Sequence, residues 1–152
     1  MAINYALLIY PEFMNYEPIT KLIPQRSPIM MVDELLCVNG DDATCQLTVR
    51  PDNYFIDSDG LMAEPGLIEH IAQSASAFAG HRAIEAGATE PPVGYIGEVK
   101  NFHLYNRPKI GDILTTTITM GAEVEGITII RGETKVGNEV YADTTMKIFV
   151  KE

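Results

Sequence analysis

The chain has 152 residues, 46% hydrophobic and 8% aromatic, enough for a single domain over 1–152 with its own core. Lys and Arg number 11 against 21 Asp and Glu, a formal net charge of -10. That balance argues against non-specific nucleic-acid binding, which needs a basic surface, and against docking on anionic membranes.

The first segment, "MAINYALLIYPEFMNYEP", has no basic n-region, and Pro11 and Glu12 interrupt its apolar run. It reads as a poor signal peptide. No apolar stretch reaches the length of a membrane span. The two cysteines, Cys37 and Cys45, form neither a disulfide framework nor a C-x-x-C metal spacing. A cytoplasmic protein with reduced thiols is expected.

"EPITKLIPQRSP" predicts a helix of one or two turns and then a loop, because three prolines punctuate it. Ile29 to Val38 is rich in branched and long apolar residues and predicts a strand. "NGDD" supplies turn chemistry, and "ATCQLTVR" alternates as the return strand of a hairpin. "PDNYFIDSDG" is a loop. Pro65 suits a first helical turn, where its missing N–H costs nothing. Helical spacing then runs from about Pro65 to about Ala86 and stops at Gly87.

Four more strands follow: Gly94 to Leu104, Ile113 to Met120, Thr128 to Val136 and Val140 to Val150. "RPKIGD", "GAEVEG" and "VGNE" connect them. One long central helix wrapped by an antiparallel sheet of about six strands makes an α+β domain. The small residues of "AQSASAFAG" fit a helix buried nearly all round.

That helix holds an anomaly. Glu69, His70 and Gln73 interrupt an apolar run, and burying a carboxylate costs several kcal/mol unless it is paired or does chemistry. Glu69 has a plain alternative reading, as an exposed first-turn carboxylate favoured by the helix macrodipole. His70 points about 100° away from Glu69 around the helix and reads as an interface or partly exposed histidine. His70 and His81 are three turns apart, too far for one metal site. His103 falls on a strand, at the surface. Asp57 and Asp59 in "DSDG" read as turn formers, since no Glu stands at EF-hand spacing. Cys37 and Cys45 read as packing residues. Gly94 and Gly97 form no nucleotide-binding pattern. Neither cofactor nor metal is expected.

The order "IPQRSPIMMVDELL", "PGLIEHIAQ", "NFHLYNRPKIGD" resembles the hotdog-fold 3-hydroxyacyl-[acyl-carrier-protein] dehydratases of fatty-acid synthesis, from about Ile19 to the C-terminus. In that family a P-G-(apolar)-E/D-x-x-x-Q helix start carries the catalytic carboxylate. Glu69 falls on it, with Gln73 four residues on. Gly66 falls on the helix-start glycine whose N–H points at the thioester carbonyl. Arg107, Pro108, Gly111 and Asp112 fall on the R-P…G-D turn, and Gln25 replaces the histidine of the first segment. The family keeps its catalytic histidine in a G-H-F-P loop before the helix. The matching loop here, "IDSDGLMAE", has none, and Ser58 or Asp59 stands about where it should be. This pattern is closer to a divergent branch, the dehydratase-like subunit of aryl polyene lipid clusters.

The resemblance implies a dehydratase or dehydratase subunit acting on acyl thioesters of acyl carrier protein or CoA, in fatty-acid or polyene lipid synthesis. Hotdog sites lie between two protomers, so a homodimer or a heterodimer with a histidine-bearing hotdog subunit is expected. Dehydration needs a base near C2, an acid near the β-hydroxyl and a donor for the enolate-like oxygen. Glu69 could supply the acid, with Gln73 orienting it from one turn away. The N–H groups of Gly66 and Leu67 suit the oxyanion. Asp59 is a conceivable surrogate base, and Ser58, Leu67 and Arg107 are candidate substrate contacts. The alternatives are a non-catalytic acyl-binding subunit and a hotdog thioesterase. An acidic carrier would need a local basic patch, for which Arg82, Lys100, Arg107 and Lys109 are candidates.

Overall fold

A computed structural model describes residues 16–151, with the side chains of 150 and 151 outside the description. The interrupted apolar run of the N-terminus therefore lies almost wholly outside the described residues. The elements are α1 (Ile19–Leu22), β1 (Glu34–Asn39), β2 (Asp42–Thr48), α2 (Glu64–Glu85), β3 (Val93–Leu104), β4 (Ile113–Val124), β5 (Ile127–Val136) and β6 (Glu139–Lys151). The strands form one antiparallel sheet in the order β1-β2-β4-β5-β6-β3. The expected α+β hotdog architecture, one long helix against six strands, is what is observed.

Helix α2 packs against α1 and strands β1 to β5. Pro65 opens it, Ala86 caps its end, and Gly87 follows in a left-handed conformation (φ 98°). Leu67, Ile71, Ala75 and Phe78 are buried, and so are His70, Gln73, Ser74 and Gly80 on adjoining faces. Hence no single apolar stripe marks this helix. Where α1 crosses α2, a Cβ on Gly80 would run into the backbone carbonyl of Leu22, so only glycine allows this approach.

Two boundaries differ from the sequence reading by more than two residues. The strand expected from Ile29 begins only at Glu34, because the Met31 backbone is hydrogen-bonded by side chains of α2 rather than by a neighbouring strand. And β4 continues past Met120, across a bulge, to Val124. Its turn to β5 is just Glu125 and Gly126, both at positive φ (54° and 77°), as a two-residue type I′ hairpin requires. Among the described residues, no helix is long and apolar enough to cross a membrane.

Candidate functional site

A groove of about 960 Å³ opens between α2 and the sheet. Its floor is a stripe of small side chains on one helical face: Ala72, Ser76, Ala79 and Ala83. Its walls come from β3 (Gly94, Tyr95, Ile96), β4 (Met120), β5 (Ile130) and β6 (Ile148). Glu69 also lines it, together with Gln25. The Arg82–Asp41 ion pair (2.9 Å) belongs to its lining too. No histidine is among the lining residues.

Glu69 is half-buried, and its Oε2 accepts a hydrogen bond from Gln73 Nε2 at 2.9 Å. Gln73 is itself buried and fully engaged. Its Oε1 accepts from the Met31 N–H at 2.5 Å, and its Nε2 also donates to the Ile29 carbonyl at 2.8 Å. A carbonyl can only accept, so these partners fix which way the amide faces.

His70 is wholly buried, not at an interface or partly exposed as its position suggested. Its Nδ1 lies 2.7 Å from the Met31 carbonyl and its Nε2 lies 2.7 Å from Thr116 Oγ1. Burial pushes its pKa down to about 4, against smaller upward pulls from the Met31 hydrogen bond and the charge of Asp33. The ring is therefore neutral at physiological pH.

The loop before α2, where the resemblance leads one to expect a histidine, is held by Arg107. Arg107 Nη2 reaches Asp57 Oδ2 at 2.6 Å, Nη1 reaches Asp59 Oδ2 at 3.2 Å, and Nε donates to the Met62 carbonyl at 2.9 Å. The other Asp59 oxygen accepts the Leu61 N–H at 3.0 Å. Both carboxylates thus build the loop, as turn residues do. Ser58 is exposed in the same turn.

Gly66 sits where Phe55 crosses the helix start: an added Cβ would meet Phe55 Cβ at 2.6 Å and Met62 Cγ at 2.8 Å. Its N–H donates to the Ala63 carbonyl at 2.9 Å, so it is committed within the helix cap rather than held free for a substrate oxygen. The Leu67 side chain is core. Of the residues singled out from the sequence, the structure brings Glu69 to the groove and ties Gln73 to it. Ser58, Asp59, Gly66, Leu67 and Arg107 do not line the groove. Of the four cations considered for a carrier patch, Arg82, Lys100 and Arg107 are paired with Asp41, Glu98 and the two loop aspartates. His103 is exposed, as expected, and bonds Asp143 at 2.8 Å on β6.

The groove thus sets one carboxylate, Glu69, beside a stripe of small side chains, with no histidine in its lining. A family model described as ApeP dehydratase, of the ApeP-like family, matches residues 17–152. The chain belongs to the ApeP-like dehydratase family. The likeness to a dehydratase-like subunit of the aryl polyene type, carried by the loop and the helix start, is thereby borne out. A chain of the dehydratase heterocomplex ApeI:P from Xenorhabdus doucetiae superposes with a TM-score of 0.84 at 18% identity, over 91% of this chain and 93% of that one. The uncharacterized protein PH1136 from Pyrococcus horikoshii gives 0.64 at 15%, over 90% and 96%. A hypothetical thioesterase from Streptococcus pneumoniae, solved with coenzyme A, gives 0.61 at 13%, over 78% and 84%. At such identities these likenesses show the fold. No curated protein matches the chain.

Proposed function

We propose that this ApeP-like protein supplies the carboxylate half of a dehydratase site. It works in a heterodimer with a histidine-bearing hotdog subunit, on 3-hydroxyacyl thioesters of acyl carrier protein in polyene lipid synthesis. The carrying observation is Glu69: a carboxylate on the groove wall, oriented by Gln73, with no histidine lining the same groove. From Glu69 along the small-residue floor to Ala83 the groove follows α2 for about 21 Å at 1.5 Å per residue, long enough for an extended acyl chain.

The chemistry divides cleanly. The partner's base removes the C2 proton, and the C2–H electrons form the C2=C3 bond as the C3–O bond breaks. Glu69 donates its proton to the departing hydroxyl, which leaves as water, and is reprotonated from the base before the next turnover.

A partner also suits the exposed edge strand β3. It is 12 residues long and carries exposed Val93, Tyr95 and Ile96. Bare edges of that kind are normally covered. Two buried cysteines fit a reducing cytoplasm.

Mixing the chain with a histidine-bearing hotdog subunit should yield dehydration of a 3-hydroxyacyl-carrier-protein. Glu69→Gln in that complex should lower kcat by on the order of 10²–10⁴-fold, the usual share of a general acid. Turnover unchanged by Glu69→Gln would sink the reading. Hydrolysis without dehydration would reassign the site to a thioesterase.

A further inference from the structure

Helix α2 buries a neutral histidine one residue from the carboxylate, where an alanine or leucine would fill the core without needing partners. His70, Thr116 and Thr134 are each wholly buried. Fully satisfied polar networks in a core confer no obvious gain in stability over apolar packing, so what such a network connects to is informative.

Proton direction follows from the acceptors. The Met31 carbonyl can only accept, so His70 Nδ1 carries the hydrogen. Nε2 is then a lone pair, and it takes the hydroxyl hydrogen of Thr116 at 2.7 Å. Thr116 Oγ1 in turn accepts from Thr134 Oγ1, also at 2.7 Å. On the other side of Met31, its N–H goes to Gln73 Oε1, and Gln73 Nε2 goes to Glu69 Oε2. The chain starts in the sheet, on β5 and β4, crosses residue 31, and ends on the one carboxylate held by Gln73. A network serving the core alone would close within the core. This one ends in the groove.

We infer that His70 is a positioning residue for Glu69, acting through the Met31 backbone and the Gln73 amide. By holding the Met31 carbonyl, His70 sets where the Met31 N–H lies. That N–H fixes the Gln73 amide, which presents its second N–H to Glu69 Oε2. Oε1 is then the oxygen that faces a substrate hydroxyl. The inference rests on the reading of Glu69 as a group working in the groove.

The test uses the full chain with its histidine-bearing partner and a 3-hydroxyacyl pantetheine thioester. His70→Leu removes the donor, whereas His70→Asn keeps one where Nδ1 stood. His70→Leu should lower kcat on the order of 10-fold or more with KM nearly unchanged, since small misplacements of a catalytic group act on rate. His70→Asn should restore most of it. Gln73→Met should give a similar loss, and the His70→Leu/Gln73→Met double variant should be little worse than either alone. A fully active His70→Leu overturns the inference, and so does additive loss in the double variant. A second readout needs no turnover. Nitrogen NMR of wild-type full-length chain should show neutral His70 protonated at Nδ1, and the Gln73 side-chain amide should shift in His70→Leu but little in His70→Asn. An Nε2–H tautomer, or a Gln73 signal blind to His70, refutes the relay. If the wild-type complex dehydrates nothing, the functional reading falls, and the NMR outcome alone decides whether the relay exists.

Discussion

Arg107 Nη2 lies 2.6 Å from Asp57 Oδ2, and the same guanidinium holds Asp59 and the carbonyls of Leu61 and Met62. One side chain from the R-P…G-D turn therefore knits together the loop of residues 57–62 that precedes α2. The two ion pairs are half-exposed and individually weak. The bonds to carbonyls need the planar fork, which lysine lacks. Arg107→Ala should cost about 1–2 kcal/mol, and Arg107→Lys should recover little of it. Urea denaturation of the three proteins measures this. Full recovery by lysine would mean that charge alone holds the loop.

At the far end of the helix, Gly80 meets Leu22 backbone rather than a movable side chain. A backbone carbonyl cannot swing aside, so Gly80→Ala forces α1 off α2 and should destabilise by about 2 kcal/mol or more. A melting temperature within 1 °C or so of wild type would contradict this packing.

Much of the fold was legible because local punctuation agrees with global structure. Pro65 and Gly87 bracket α2, and its expected limits match the observed helix to within a residue. The β5–β6 hairpin announces itself by alternation and by Gly137–Asn138 at the turn. The start of β1 was not legible, since Met31 is claimed by Gln73 from 42 positions away. Gly121 reads as a strand end, yet β4 bulges there and continues. Glu69 was visible as an anomaly in an apolar run, and Gln73 as its neighbour one turn on. The burial of His70 is not legible in the sequence, because its partners, Met31 and Thr116, are 39 and 46 positions distant. The signal that could have found it is the company it keeps: a histidine among Ile71, Ser74 and Ala77, on a helix buried on several faces.

Cys45 offers a check on the core. Burial pushes its thiol up to about 12, partly offset by its contact with Ser74. The thiolate is the reactive form, so iodoacetamide at pH 8 should leave Cys45 unmodified in the native chain and modify it in denaturant. Peptide mass mapping reads the result. Rapid native labelling of Cys45 would show that the helix–sheet contact opens.

His70 should also set part of the acid sensitivity of the fold. Its folded pKa, about 4, lies below the ordinary histidine value of 6.5. Between those values the unfolded chain takes a proton that the folded chain refuses. Stability is thus complete above about pH 6.5, declines as pH falls from 6.5 to 4, and loses nothing further from this residue below that. The difference corresponds to roughly 3 kcal/mol across the window. The downward shift is the net of burial against the smaller upward pulls of the Met31 hydrogen bond and the Asp33 charge. Denaturation free energies of wild type and His70→Asn, taken at steps from pH 7.5 to 4.5, test it. Wild type should lose stability steadily below 6.5, whereas His70→Asn should show a much flatter profile until the carboxylates titrate. Parallel profiles would mean that His70 gains a proton in the folded state as readily as in the unfolded one, and that water reaches the ring.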